Sequence, residues 1–281
     1  MILVVNVWLE IHCRSQTAII LINQNELVYN AATSRSQATT HMSRLNALYR
    51  KVRPGTPVTS SELVSLGVSA DLAVHYVRAA WLTRLARGVF VRPDTPLDLH
   101  ASLRLLERRL KGLHVGGKSA LDWHGFRHNV TQRSQLDLYG WASGSLPSWF
   151  TDHFPSRYHR LRLFDEQPNP PLRVSHFQRL PDGALVSDPE RAVLELLSEV
   201  GVRQTLQEVR DLLEGTPSLR ATVLKELLLR CKQVKTVRLC LTLGGELGLP
   251  WAAKLEPKDL PTGSSQRWVG RSKEGLLVLK A

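Results

Sequence analysis

The chain has 281 residues, of which 37 are lysine or arginine and 25 are aspartate or glutamate, so its formal net charge is +12. This surplus favours an anionic partner: nucleic acid first, an acidic protein or anionic membrane second. Three cysteines, Cys13, Cys231 and Cys240, form no CxxC pair, which argues against a disulfide framework or a zinc ribbon. No apolar run approaches the roughly 20 residues that span a bilayer, and Met1–Leu9 lacks the basic start of a signal peptide. We therefore expect a cytoplasmic protein with no membrane partner.

The first 41 residues differ in character from the rest. Two β-branched stretches, Ile2–Val7 and Thr17–Ile22, lead into the polar tract Ala31–Thr40. One interpretation is a leader, disordered or created by a misplaced start codon before Met42; the other is a short hairpin that docks on a partner. We favour the first.

Residues 42–94 have the pattern of three short helices and a hairpin. The spacing of Leu45, Leu48, Tyr49 and Val52 predicts a helix over 43–52. Ser60 or Ser61 is predicted to cap a second helix that ends at Gly67, and Ser69 a third helix that runs to Ala80. Two strand-like pieces follow, at 82–85 and 89–92, joined by a turn at Gly88. This order is typical of a winged helix-turn-helix, which we expect to bind double-stranded DNA.

The polar face of the third helix is the predicted reading surface. Leu72, Tyr76 and Ala80 fall on one face and are expected to pack inwards. Arg78 can fork onto a guanine or a phosphate, whereas Asp71 would repel phosphate and should face a base edge or cap its own helix. The predicted DNA-contacting residues are Ser69, Asp71, His75 and Arg78 on this helix, Arg84, Arg87 and Arg92 on the wing, and Arg44, Arg50, Lys51 and Arg53 on or after the first helix.

Residues 95–281 predict a second, mixed domain. Ser187–Glu190 is interpreted as a capping box that opens a helix. The predicted helices are 97–110, 119–124, 191–200, 202–213, 217–231 and 234–247, and the predicted strands are 134–139, 158–164, 172–178, 267–269 and 276–279. The fold class is therefore α+β: an N-terminal winged helix-turn-helix followed by a mixed α/β C-terminal domain.

Four segments resemble the AbiE-type antitoxins of the AbiEi family. They are Trp81–Phe90 after the third helix, His114–Leu121 leading into His124-Gly125, Ser187–Ala192, and the tail Leu249–Pro257. Each segment is unspecific alone, but they occur in the family's order from Met42 to the C-terminus. The leader has no counterpart, and Thr262–Arg267 lacks the Gly-Lys-Arg-like run expected there, which puts an antitoxic role of that stretch in doubt.

The resemblance implies a non-enzymatic protein of a type IV toxin–antitoxin pair that acts in abortive phage defence. Such antitoxins resemble repressors of their own operon, and the winged helix would bind inverted repeats in the promoter as a homodimer. The C-terminal domain would neutralise a nucleotidyltransferase toxin without a stable complex.

Three segments match enzymatic or metal-binding patterns, but no cofactor or metal is expected. Gly112–Ser119 matches the phosphate loop G-x4-G-K-S, but we expect it between two helices and interpret it as a turn. Asp182 with Glu256-Pro257-Lys258 matches a nuclease pattern, but Pro257 falls where a central strand should be. Asp122, His124 and His128 could hold a metal, but Gly125 breaks the helix that would align them. The alternatives kept open are a winged-helix-tethered nuclease or nucleotide-binding enzyme, and a winged-helix dimerisation module without DNA binding.

Overall fold

The computed structural model describes residues 10–13, 16–19, 43–126, 135–165, 171–180, 182–272 and 275–279. Within this part the chain contains both helices and strands, so the predicted α+β class is confirmed. The chain forms two compact units. The N-terminal unit comprises Met1–Pro54 and Val58–Asp94, and the C-terminal unit comprises Gly55–Pro57 and Thr95–Ala281.

The N-terminal unit has the order of a winged helix-turn-helix. A hairpin of β1 and β2 comes first among the described residues; of the two β-branched stretches before Met42, Ile2–Val7 lies outside these residues. The elements are β1 (Glu10–Cys13), β2 (Gln16–Ile19), α1 (residues 43–51), β3 (Val58–Thr59), α2 (Ser60–Ser65), α3 (Ala70–Arg78), β4 (Thr83–Ala86) and β5 (Val89–Val91). β5 lies between β3 and β4 in an antiparallel sheet, of which β4 and β5 form the wing.

One apolar cluster holds α1, α2, α3 and the wing together. Leu48 of α1, Leu63 of α2 and Tyr76 of α3 are almost completely buried in it, with Leu82 and Phe90 of the wing beside them. The Tyr49 hydroxyl donates to the Trp81 carbonyl at 2.7 Å, which ties α1 to the start of the wing. The helical spacing in α1 therefore does mark its buried face.

Two local predictions for this unit are wrong. Thr59, not Ser60 or Ser61, caps α2, because its hydroxyl accepts from the Glu62 amide while the Glu62 carboxylate accepts from the Thr59 amide. Ala80 is exposed rather than packed inwards. α3 ends at Arg78, Ala80 has a φ of 56°, and the Trp81 and Leu82 amides both donate to the Tyr76 carbonyl, which turns the chain into the wing.

The C-terminal unit is built on a mixed sheet of five strands. Its elements are α4 (Leu99–Glu107), β6 (His114–Val115), α5 (Gly117–Trp123), β7 (Leu136–Gly140), α6 (Ser148–Thr151), β8 (Ser156–Arg160), β9 (Val174–His176), β10 (Leu185–Ser187), α7 (Pro189–Ser198), α8 (Leu206–Glu214), α9 (Ala221–Leu229), α10 (Val234–Glu246), β11 (Trp268–Ser272) and β12 (Gly275–Leu279). The sheet order is β8-β7-β6-β10-β9, and β11 pairs with β12 in a separate hairpin. β7 is parallel to β8 and β10 is parallel to β6, whereas the other neighbours are antiparallel.

Helix α7 forms the centre of this unit. It packs against α5, α8, α9 and α10, and nine of its residues from Glu190 to Ser198 are buried, including three charged ones. The predicted capping box at its start is wrong. Ser187 belongs to β10, the Asp188 side chain makes no capping bond, and the Glu190 carboxylate instead accepts from Arg220.

Candidate nucleic-acid interface

Helix α3 presents two adjacent rows of exposed side chains. The Ser69 hydroxyl accepts from the Leu72 amide at 3.3 Å and caps the helix, while Leu72 and Tyr76 anchor its inner face. Because residues four apart share a face, Asp71 and His75 form one row, and Ala70, Val74 and Arg78 form the other. All five are exposed. The His75 ring also lies edge-on to the Trp81 ring, with 5.9 Å between their centroids.

Asp71 takes no part in capping α3, since Ser69 does so. The Asp71 side chain is exposed in the first turn, where a negative charge stabilises the helix dipole. Of the two roles expected for it, capping is therefore wrong in this structure, and base contact stays a prediction.

The wing is a tight hairpin that carries two exposed arginines. Gly88 completes its turn with a φ of 76°, a conformation that residues with a side chain rarely adopt. The Gly88 carbonyl accepts from the Ser60 amide at 3.0 Å, which fixes the turn against the start of α2. Arg84 and Arg87 are exposed on this hairpin.

A groove of about 680 Å³ lies between α2, α3 and the wing. Its lining is mostly apolar, and Arg78, Arg84 and Arg87 also line it. Within the described part of the chain, Arg78 and Arg87 have no hydrogen-bond or ion-pair partner, and Arg84 donates only to the Ala86 carbonyl at 3.4 Å. Three arginines that no described carboxylate neutralises thus line an apolar groove. The sequence predicted these arginines but not the groove.

Arg92 lies in a different environment from the other predicted arginines of the wing. Its guanidinium is 4.1 Å from the centroid of the Tyr49 ring and donates to the carbonyls of Tyr49 and Val52, each at 3.4 Å. Arg92 therefore stabilises the end of α1. The other basic residues predicted on or after α1, namely Arg44, Arg50, Lys51 and Arg53, are exposed.

The segment that matches a phosphate loop, Gly112–Ser119, follows helix α4 and leads into α5, as the sequence interpretation expected, but it also contains the short strand β6. β6 ends at Val115, and α5 begins at Gly117. The Glu195 carboxylate occupies the start of α5, where it accepts from the Gly117 amide at 3.1 Å. A Cβ on Gly116 would lie 2.3 Å from a Glu195 oxygen and 2.5 Å from the Tyr139 ring, so the close approach of these side chains requires glycine.

Glu195 takes the place that a phosphate would need. Its oxygens also bond His114 Nε2 at 2.8 Å, Arg191 Nε at 2.7 Å and the Ser187 hydroxyl at 2.9 Å. Burial would raise the pKa of Glu195, but the charges of His114 and Arg191 and their hydrogen bonds outweigh it and lower this pKa to about 2. Lys118 of the same motif forms an ion pair with Glu208. The local sequence therefore matches a phosphate loop, while the fold fills it with a carboxylate.

A second buried ionic cluster lies beside the first. His159 Nε2 is 2.8 Å from Asp137, its Nδ1 is 3.4 Å from Glu199, and its ring stacks on Tyr139 at a centroid distance of 4.5 Å. This set has the composition of a catalytic relay, but the His159 side chain is only 1% exposed. Substrate has no access to such a side chain, so we interpret the cluster as structural.

The nuclease pattern, the possible metal ligands and the cysteines have the following surroundings in the described part of the chain. Glu256 and Lys258 pair with each other at 2.6 Å around a 3-10 turn at Pro257–Asp259, not on a strand. His128 lies outside the described residues, and the described ones contain no group of three side chains that could hold a metal. Cys231 and Cys240 are buried free thiols, and burial raises their pKa to about 11 and about 12.

The segment Thr262–Arg267, which lacks the basic run expected from the family, packs against α10. Buried Arg238 donates to the carbonyls of Thr262, Ser264 and Gln266. No helix in the described ranges is both long and apolar enough to cross a membrane.

The elements of the N-terminal unit define a winged helix-turn-helix protein with an α+β domain after it. A family model described as "Transcriptional regulator, AbiEi antitoxin, Type IV TA system" matches residues 133–280, and "Transcriptional regulator, AbiEi antitoxin N-terminal domain" matches residues 41–132. The chain therefore belongs to the AbiEi family of antitoxins, which are transcriptional regulators of type IV toxin–antitoxin systems, as its four sequence segments predicted. The N-terminal family model extends beyond Asp94 through α4 and α5, so its boundary differs from that of the compact units.

A solved structure supports the fold. The crystal structure of the RV2827C protein from Mycobacterium tuberculosis matches with a TM-score of 0.52 at 16% sequence identity, over 82% of this chain and 89% of that one. No curated protein matches the chain.

Proposed function

We propose that this protein is a cytoplasmic DNA-binding repressor of its own operon and the antitoxin that opposes a nucleotidyltransferase toxin. Residues 42–94 would form the DNA-binding domain and residues 95–281 the antitoxin domain. Family membership supports the pairing of regulator and antitoxin. The protein would act by binding and not as an enzyme.

The observation that carries the DNA-binding proposal is the set of arginines around the groove. Arg78, Arg84 and Arg87 have no carboxylate partner among the described residues. Exposed guanidinium groups that line one groove favour a polyanion, because phosphates can accept bidentate hydrogen bonds from them. A DNA strand is the polyanion that a helix-turn-helix places beside its third helix.

In the proposed complex, the start of α3 enters the major groove and the wing contacts the adjacent backbone. His75 and Arg78 would reach base edges, with Asp71 and Ser69 beside them, and Arg84 and Arg87 would contact phosphates. The exposed residues Arg44, Arg50, Lys51 and Arg53 would extend the phosphate contacts along α1. A homodimer would bind the two halves of an inverted repeat. Arg92 already binds the end of α1, and we assign it a structural role.

The test is a fluorescence-anisotropy titration of the full chain on DNA from upstream of its own gene. We expect promoter-selective binding that weakens steeply with salt. The double variant Arg78→Ala/Arg87→Ala should bind far more weakly, and the magnitude of its slope of log affinity against log salt should fall by about 1, since the lost Arg87–phosphate contact contributes about 0.9.

The matched control is Arg109→Ala/Lys111→Ala, which removes the same charge from exposed positions of the C-terminal unit. It should retain promoter selectivity and most of the affinity. Absence of binding at low salt by a folded wild-type protein, or an equal loss in both double variants, would refute the proposed interface.

The toxin-opposing role is proposed to need no stable complex. The ionic clusters around Glu195 and His159 are buried, and the start of α5 is filled by a carboxylate, which supports a domain without nucleotide chemistry of its own. Co-expression with the neighbouring gene should restore growth, whereas affinity purification of the chain should not retain the toxin. Growth rescue that depends on a co-purifying complex would contradict this part of the proposal.

A further inference from the structure

The groove between α3 and the wing contains two exposed apolar side chains that the core does not explain. Val64 is 60% exposed and Val74 is 47% exposed. In the described part of the N-terminal unit these two are the large exposed hydrophobic residues, and both line this groove. Single exposed valines are common on protein surfaces, but two that line the same groove indicate a ligand-binding surface.

Val74 occupies the central position of the exposed row on α3. The core is formed by Leu72, Ala73 and Tyr76 of this helix, and Val74 does not belong to it. Ala70 and Arg78 lie one turn before and one turn after Val74 on the same row. A β-branched residue at this place lies outside the core cluster and costs some helix propensity.

The occupant of the groove must be both anionic and apolar. Arg78, Arg84 and Arg87 supply positive charge around it, and its floor is apolar. When α3 lies in the major groove of DNA and the wing contacts the adjacent groove of DNA, the DNA strand between them passes across the opening of the protein groove. Such a strand offers phosphates to Arg84 and Arg87, and its thymine methyl groups and deoxyribose faces to the valines.

We propose that Val74 is a specificity-determining residue that reads the 5-methyl group of thymine in the major groove, with Val64 enlarging the same apolar surface. This inference rests on the proposed DNA binding and refines it. The methyl group is the one apolar feature that distinguishes a thymine edge in the major groove, so an exposed valine there selects thymine without a hydrogen bond. The polar row of Asp71 and His75 would read neighbouring bases.

The experiment replaces thymine by uracil, one position at a time, in the promoter fragment bound by the full chain. This change removes a methyl group and leaves every hydrogen-bonding atom in place. We expect the dissociation constant to rise about fourfold at one or two positions in each half-site, as for one buried methyl group. Val74→Ser should bind thymine and uracil at those positions equally, whereas Val74→Thr, which keeps one γ-methyl group, should retain part of the difference.

Val202→Ser is the matched control, because Val202 of the C-terminal unit is 52% exposed. It should leave the thymine preference unchanged. Tight binding with uracil tolerated at every position overturns the role of Val74 but leaves the proposed function standing. So does a Val74→Ser variant that still discriminates, which would place the methyl contact elsewhere. Absence of binding to either DNA overturns both proposals.

Discussion

At the scale of single residues, identical side chains on one hairpin have different surroundings and therefore different roles. Arg87 extends from the turn of the wing, whereas Arg92 stacks on Tyr49 and binds the last carbonyls of α1. Nothing in the local sequence distinguishes them, because the partner of Arg92 lies on α1. The proposed interface therefore leaves Arg92 out of the predicted set of DNA-contacting residues.

We predict that Arg92→Ala lowers the free energy of unfolding by about 1–2 kcal/mol, since it removes a cation–π contact and two hydrogen bonds. Arg87→Ala should change it by less than about 0.5 kcal/mol, because the side chain is exposed and lacks a described partner. Urea unfolding of both variants followed by circular dichroism measures the difference. Equal destabilisation would contradict the structural role of Arg92.

The His159 cluster predicts a dependence of stability on pH. Burial opposes the charged imidazolium, but the hydrogen bond to Asp137 and the charge of Glu199 outweigh it, so the pKa of His159 lies above its usual 6.5. A raised pKa means that protonated His159 stabilises the fold. This contribution is fully present below pH 6.5 and is lost as the pH rises through the folded-state pKa.

The measurement is the melting temperature of wild-type protein and of His159→Gln from mildly acidic to alkaline pH. The wild-type advantage should shrink as the pH rises above 6.5. An advantage that grows over this range would show that neutral His159 is the stabilising form, and a constant advantage would show that both forms stabilise the fold equally; either result contradicts the prediction.

At the scale of elements, two neighbouring glycines of α10 differ in the space that surrounds them. A Cβ on Gly244 would lie 2.7 Å from the ring of Trp251, which is buried and donates to the Thr216 carbonyl at 3.0 Å. A Cβ on the neighbouring Gly245 would meet nothing within 4 Å. The first glycine thus admits the tryptophan, and the second has no comparable packing reason.

We predict opposite effects for the two alanine substitutions. Gly244→Ala should destabilise the protein by about 1–3 kcal/mol through overpacking, while Gly245→Ala should stabilise it by about 0.5–1 kcal/mol through helix propensity. Thermal or urea unfolding measures both in the same background. A stabilising Gly244→Ala would mean that Trp251 does not pack on α10 as described.

At the scale of the whole molecule, the two proposed activities reside on separate compact units. The arginines and valines proposed to bind DNA all lie in the N-terminal unit, and the buried clusters of Glu195 and His159 lie in the C-terminal unit. Repression and toxin neutralisation should therefore be separable by substitution in the intact chain.

We predict that Arg78→Ala/Arg87→Ala abolishes repression of a promoter–reporter fusion but still neutralises the toxin when both proteins are supplied from a foreign promoter. The readouts are reporter activity and growth on toxin induction. The double variant Arg109→Ala/Lys111→Ala should repress normally. Loss of toxin neutralisation by Arg78→Ala/Arg87→Ala at wild-type protein levels would contradict the assignment of the two activities to separate units.

The sequence by itself determined the features that depend on neighbouring residues. The spacing of Leu45, Leu48 and Val52, the serine that caps α3 and the glycine of the wing act within a few residues, so they predicted the winged helix and the surface that carries Arg78. The four family segments were predictable for the same reason, since a motif is local by nature.

Only the tertiary structure decided what depends on distant residues. His114 and Glu195 are 81 positions apart, yet their bond places a carboxylate where the matching motif alone predicts a phosphate. The short strands β6 and β10 and the burial of α7 from Glu190 to Ser198 follow from pairing and packing, which the local sequence pattern does not indicate. The groove that contains Val74 likewise forms between α2, α3 and the wing. Its exposed apolar lining therefore depends on the packing of these three elements and is not evident from the sequence.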